Sequence, residues 1–351
     1  MSIYVTILII LLILGCLDAV LNFNVFAIFS AIILALFSGL RNINVGFDTI
    51  NYYSDYENIK NSLVPLHSTE FGYVLLERIC AFFGMQTWIF IFLISLITLI
   101  GLYIAYKDML QVGMIGLALC YYYARFFILR DMNQIRSSLA SVIVLFSFKF
   151  VREKKMLKFL IVIFLASSIH LGAMVCLLIY PIFSFMSNFN LKYKTIFSTS
   201  LMVICLLFAN LISPLLNRVS VALDRGSAYI NNQYYTTGNG LKNPVMYYQI
   251  IILLLVLFRA NKGNIDMSLV AGYLLSTLIL ILCYQYSSLA GRLSTFTASV
   301  EPILLVYLLK TYLPKYTRIP IFVSLIIVIF IVINYINGTI PKMGIYTTVF
   351  S

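Results

Sequence analysis

The sequence predicts an all-α, polytopic transmembrane helical bundle of about 11–12 membrane segments, each needing about 20 apolar residues. Three observations lead there. Of 351 residues, 62% are hydrophobic and 10% charged, where a soluble domain would carry about half and about a quarter. Apolar runs recur from end to end with no hydrophilic stretch long enough for a separate soluble domain, so residues 1–351 read as a single integral membrane domain. The cations are also sorted: counting loop charges places 8 of 11 arginines on one side of the spans and 10 of 13 lysines on the other.

The first run, Ile3 to Leu17, has neither a basic leader nor a small-residue cleavage site, and reads as a retained helix. Phe23 to Leu40 follows, then a long loop from Arg41 to Thr87. Spans are expected at Trp88 to Tyr106, Val112 to Leu129 and Ser137 to Val151. Leu157 to Met186 would measure about 45 Å as one helix, more than a single crossing requires. With lysines flanking both ends on the cytoplasmic side, that stretch is expected to break near Ser167-Ser168-Ile169-His170. Further spans are expected at Ile196 to Ile212, Pro244 to Phe258, Met267 to Tyr286, Ala298 to Leu309 and Ile319 to Ile336. A second long loop runs from Ser213 to Asn243, and connections of such length are commonly binding segments. In this topology both loops lie outside, and the N-terminus lies outside too.

The net charge of +12 does not indicate nucleic acid, because the basic residues sit in short loops and form no run interleaved with aromatics. Membrane topology and anionic lipid account for it better. The six cysteines lack metal-ligand spacing, read as core residues, and leave only His67 and His170 as histidines, so neither a metal nor another cofactor is expected.

Arginine on the outer face opposes the positive-inside tendency, and its planar fork of donors suits phosphate or carboxylate. Four clusters carry the candidate chemistry. After the second span come Arg41, Gly46, Asp48, Tyr52 and Tyr53: a tight turn at Gly46, a carboxylate at Asp48, and tyrosine faces that stack on sugars. A capped helix start at Asp48 or Thr49 is the alternative. The second cluster is Arg130, Asn133 and Arg136, in which Asn133 and Arg136 share a face if a helix begins near Asn133. The third is His170, an imidazole at membrane depth suited to proton transfer. The fourth is Gly291-Arg292, with Glu301 beyond it as an ion-pair partner or base. The second loop adds Arg225 and the tyrosines from Tyr229 to Tyr235. Within the first loop, Glu70 to Arg78 has an apolar set compatible with an amphipathic helix, lying on the membrane surface or packing on the spans.

The order Arg41…Gly46-Phe47-Asp48-Thr49…Tyr52, Glu70-Phe71-Gly72-Tyr73, Arg130…Arg136-Ser137-Ser138-Leu139-Ala140, Ala166…His170 and Gly291-Arg292 resembles the EpsG/Wzy family of bacterial O-antigen and exopolysaccharide polymerases. Phe47, where a small residue is common, and Asp131-Met132 depart from the family pattern. The resemblance implies a GT-C-like, metal-independent membrane glycosyltransferase of the bacterial inner membrane with its active site facing the periplasm. Undecaprenyl-diphosphate-linked oligosaccharide would be both donor and acceptor, and a chain-length-regulating membrane protein a further partner. The chemistry asks for charge stabilisation at the departing lipid diphosphate, which arginines can supply, and for a base at the acceptor hydroxyl. His170 or Asp48 is the expected base and Arg130, Arg136 and Arg292 the expected diphosphate ligands. Arg41 and Arg225 are expected as outer contacts to phosphate or acidic sugar, Asn133 as a further substrate contact near Arg136, and Tyr52 and Tyr53 as guides for glycan. Two other classes compete: a membrane O-acyltransferase, which would depend on an acyl donor, and a lipid-linked oligosaccharide flippase or transporter, which would show paired broken helices in an internal repeat.

Overall fold

The structure, a computed structural model, describes residues 2–61, 70–222, 240–259 and 265–350. All of its regular elements among the described residues are helical. Four stretches are long and apolar enough to cross a membrane unaided: Ile3–Leu21 (α1), Thr87–Met109 (α5), Leu191–Leu211 within Leu191–Ala222 (α11), and Lys315–Ile336. The last is Lys315–Ile331 (α16) continued by a π turn, Val332–Ile336. Other expected spans are shorter apolar helices: Val25–Gly39 (α2), Met156–Ile169 (α9), Leu171–Ser187, Pro244–Arg259 (α12) and Met267–Leu282 (α13). The chain is a multi-pass membrane protein whose spans are often interrupted.

Two compact units are present, and the first comprises Met1–Phe146, Phe164–Leu171 and Tyr312–Ser351. In it α2 packs along α5, and α1 packs on Ile115–Tyr122 (α6). Gly15 and Gly116 let α1 and α6 touch, since a Cβ on Gly15 would lie 3.0 Å from the Gly116 backbone. Small residues at such a crossing allow the close approach that drives helix association in lipid. Asp18, fully buried in α1, accepts the Phe26 and Ala27 amides at 3.1 and 2.7 Å, satisfying amides in the first turn of α2 that have no partner within that helix. Beyond α6 the chain widens into a π turn, Tyr123–Phe127, before the short Ile128–Arg130 (α7). Asn334 donates to the Ala124 carbonyl of that turn at 2.8 Å, as a backbone oxygen displaced from the regular ladder requires.

The first long loop folds into two helices, Thr49–Lys60 (α3) and Phe71–Phe82 (α4). Of the two expectations for this stretch, α4 fits the amphipathic helix with an outward apolar face: Tyr73 and Glu77 are buried, while Phe71, Leu75, Ile79 and Phe82 are exposed. A stripe of apolar side chains pointing away from the protein suits hydrocarbon rather than water. Ile135–Arg152 (α8) begins two residues after Asn133, so Asn133 sits in the preceding turn rather than on the helix face.

The second unit comprises Ser147–Ile163 and Gly172–Thr311. Its centre is α13, buried on every side and surrounded by Ile179–Ser187 (α10), α11, α12 and Ser287–Ala298 (α14). Its polar groups are paired: Tyr273 donates to Glu301 at 2.8 Å, and Ser276 donates to Gln249 at 3.1 Å. Two expectations need correction here. The stretch from Ser213 continues α11 as far as Ala222, so the second loop begins later than expected. Arg292 lies inside α14 rather than in a loop, and α14 meets Glu301–Tyr312 (α15) at a bend of 58°. The chain closes on Thr339–Met343 (α17), in the first unit.

The break expected near Ser167 to His170 is present. Helix α9 ends at Ile169, His170 is non-helical, and the chain resumes as a tighter 3₁₀ helix, Leu171–Leu178.

Candidate active site

The break in the long apolar stretch delivers His170 to a carboxylate in the first loop. Glu70, immediately before α4, accepts from His170 Nδ1 at 2.6 Å and from the Leu171 amide at 3.2 Å through Oε1. Its other oxygen, Oε2, pairs with Arg136 Nη1 at 2.9 Å. One carboxylate thus joins the break after α9 to the start of α8. Glu70 is 7% exposed, His170 28% and Arg136 34%, so the carboxylate is enclosed while both of its partners reach the surface of the site. The Arg136 guanidinium lies over the rings of Tyr52 and Tyr73, 5.4 and 5.5 Å from their centroids, a stacked arrangement that a planar cation favours.

Burial pushes the Glu70 carboxyl up, but the His170 hydrogen bond, the Arg136 charge and the Leu171 amide outweigh it and hold the group below the usual carboxylate range. Because the folded value is depressed, these contacts contribute stability above the ordinary carboxylate pKa, and that contribution is lost as pH falls through the depressed value.

Gly72 makes the docking of α4 possible. A Cβ there would lie 2.3 Å from Ser168 Oγ and 3.1 Å from its carbonyl oxygen. Gly72→Ala is therefore expected to push α4 off the end of α9, costing about 1–3 kcal/mol and separating Glu70 from His170. Thermal unfolding in detergent measures the loss, and pairing the change with Ser168→Gly is expected to recover part of it. An unchanged melting temperature in the single variant would refute this account of the contact.

The other expected residues take different places. Arg41 has no exposed surface: its side chain donates to the Ser38 carbonyl, to Ser38 Oγ at 3.0 Å and to Thr49 Oγ1 at 3.2 Å. Burial pulls its pKa down to about 10, with Tyr52 and Tyr53 opposing. An outer contact to phosphate or acidic sugar is thus corrected to an internal tie, and the backbone around Arg41 pairs with the C-terminal segment. Asn42 N–H donates to Thr347 O at 2.9 Å, Val349 N–H to Leu40 O at 2.9 Å and Gly46 N–H to Met343 O at 3.0 Å. Gly46 turns at φ +88°, as expected. Asp48 occupies the residue before α3 without capping it through its side chain, and its amide donates to Asn133 Oδ1 at 2.9 Å. Thr49 donates back to Val45 O at 2.6 Å, so neither residue caps as the alternative required. Asn133 accordingly anchors the first loop.

Arg130 is 1% exposed and donates from Nη2 to the Ser137 carbonyl at 3.0 Å, bracing the turn that aims Arg136. Tyr52 is buried beneath Arg136 and Tyr53 is half-buried. Arg292 belongs to the second unit, half-buried in α14, and open space surrounds Gly291. Arg225 and Tyr229 to Tyr235 lie outside the described residues. Of the cysteines, Cys120, Cys176 and Cys283 are buried, whereas Cys16, Cys80 and Cys205 are partly exposed, so the core reading holds for half of them.

Sequence reasoning passed over Glu70 as a site residue, together with Tyr73 and Glu77. The signal was available: Glu70, Tyr73 and Glu77 fall at offsets of three and four, one face of a helix, in a stretch whose remaining residues are largely apolar.

The EpsG family model matches residues 24–347. The amylovoran biosynthesis protein AmsC of Erwinia amylovora is 23% identical over 299 residues, covering 82% of this chain and 79% of that protein. No solved structure matches the chain.

Proposed function

The chain belongs to the EpsG family, and from that premise we propose that it polymerises lipid-linked oligosaccharide repeat units into a cell-surface polysaccharide. The relative's role in amylovoran biosynthesis supports the choice of product class. The observation that carries the mechanism is the single carboxylate of Glu70 holding both His170 and Arg136.

In this reading Glu70 fixes the His170 ring through Nδ1, leaving Nε2 as the proton acceptor, and stabilises the imidazolium that forms. A hydroxyl of the incoming unit attacks the anomeric carbon of the growing chain, and its proton passes to His170. The new glycosidic bond forms as the bond from that carbon to the diphosphate of undecaprenyl diphosphate breaks. The charge developing on the departing diphosphate is met by Arg136, which has donors beyond the one given to Glu70. The tyrosine faces beneath Arg136 orient it. Both lipid-linked substrates and the site would lie at the periplasmic surface of the bacterial inner membrane.

Purified protein in vesicles, supplied with defined undecaprenyl-diphosphate-linked units, is expected to yield a ladder of polymer. Units left at one repeat, or transfer of an acyl group instead, would overturn the assignment. Arg292→Ala tests the arginine of the second unit in the same assay: loss of the ladder from inserted protein assigns it to the diphosphate, and a wild-type ladder removes it from that role.

A further inference from the structure

Two turns beyond Glu70, on the same face of α4, lies a carboxyl group that the proposed reaction does not use. Glu77 is 2% exposed. Its Oε1 is buried and meets no hydrogen-bond partner among the described residues, and the hydroxyl of Tyr73, one turn away, is in the same condition. The groups whose charges reach Glu77 come from three helices and their flanks: Asp55 and Tyr56 of α3, Arg136 of α8, Tyr73 of α4, and Glu70 immediately before α4. An ionised carboxylate in such a place carries a large desolvation cost, and two of its neighbours, Asp55 and Glu70, are themselves acidic.

Glu70 and Glu77 are thus pushed in opposite directions on one helix face, each within reach of the Arg136 charge. His170, Arg136 and the Leu171 amide hold Glu70 as a carboxylate despite its burial. Burial, then Asp55 and Glu70, raise Glu77 to about 8, with Arg136 only partly opposing. Neighbouring titratable groups with divergent affinities for the proton mark a division of roles.

We propose that Glu77 is a positioning residue that works in its neutral form: uncharged, it leaves the Arg136 guanidinium to Glu70 and to the substrate's diphosphate, and once ionised it draws that guanidinium away. The proposal rests on the reading of Arg136 given above. Its consequence is an alkaline limit on substrate use that originates in a side chain distant from the reacting atoms. Because the guanidinium binds the diphosphate, the limit falls on kcat/KM.

Two measurements on the full-length protein in vesicles test it. For wild type, kcat/KM for the lipid-linked unit is expected to fall about tenfold between pH 7 and pH 9, as a single ionisation near 8 requires. In Glu77→Gln, which keeps the shape and cannot ionise, the ratio of the two values is expected to stay within about twofold of one, whatever the plateau. A tenfold fall that persists in Glu77→Gln overturns the proposal. The second measurement does not depend on activity: the infrared carbonyl stretch of a protonated carboxylic acid, present in wild type at pH 7, is expected to be missing in Glu77→Gln and to bleach as pH rises through about 8. Absence of that difference band at pH 7 overturns the neutral form directly. A band that titrates in protein making no polymer at any pH overturns the polymerase reading and the diphosphate half of the proposal with it.

Discussion

Glu70→Gln is expected to stop chain extension while leaving the protein inserted and folded, with cells accumulating glycan one repeat long. The substitution preserves shape and removes the charge that two partners share. His170 loses the anion that fixes its tautomer and stabilises its protonated form, and Arg136 loses its ion pair. Where an acid orients a catalytic histidine, replacement by the amide costs about 10⁴ in kcat, and a fall of at least about 10³ is expected here. The measurement is polymer yield in vesicles against the amount of inserted protein. The same variant is expected to flatten the acid limb of thermal stability, since the contribution lost below the usual carboxylate range belongs to the ionised Glu70. Ladders of wild-type length from Glu70→Gln would remove the shared carboxylate from the mechanism.

Arg136 is the second position of large effect. Arg136→Ala is expected to lower kcat about 10³-fold, by loss of charge stabilisation at the leaving diphosphate. Arg136→Lys is expected to recover little of it, remaining about 10²-fold below wild type, because an ammonium cannot present a planar fork to Glu70 and diphosphate together or lie flat over Tyr52 and Tyr73. Arg130 supplies the contrast. Its guanidinium is enclosed and spans the turn to Ser137, so Arg130→Ala is expected to lower the melting temperature and the yield of inserted protein, with activity falling in proportion. A selective loss of rate at unchanged stability in Arg130→Ala would return that residue to the substrate contacts. For Arg136, full activity of the lysine variant would show that only its charge is used.

The four arginines singled out for chemistry among the described residues illustrate how far local sequence reaches. Arg41, Arg130, Arg136 and Arg292 are alike in type and in lying close to the ends of apolar runs, and nothing in their immediate neighbours separates them. The fold separates them by burial: Arg41 and Arg130 are enclosed, while Arg136 and Arg292 keep partial exposure. The C-terminal segment that pairs with the backbone around Arg41 was equally silent, since three of its ties run from backbone to backbone and the Tyr346 hydroxyl that donates to Phe37 O lies 309 positions away in sequence. Helix α4 was legible as amphipathic but not as to which face turns inward. A helical period gives the stripe without the identity of the surrounding solvent.

Composition and hydropathy by themselves determined that the chain is helical and lives in a membrane, because lipid leaves a backbone few ways to satisfy its polar groups. The length of one apolar run and the lysines at its ends likewise determined that it breaks beside His170. Only the tertiary structure decided which acid serves that histidine. Glu70 lies 100 positions from His170 and 66 from Arg136, and pairings at such separations depend on how α4, α8 and α9 pack together, which the order of residues along any one of those helices does not encode.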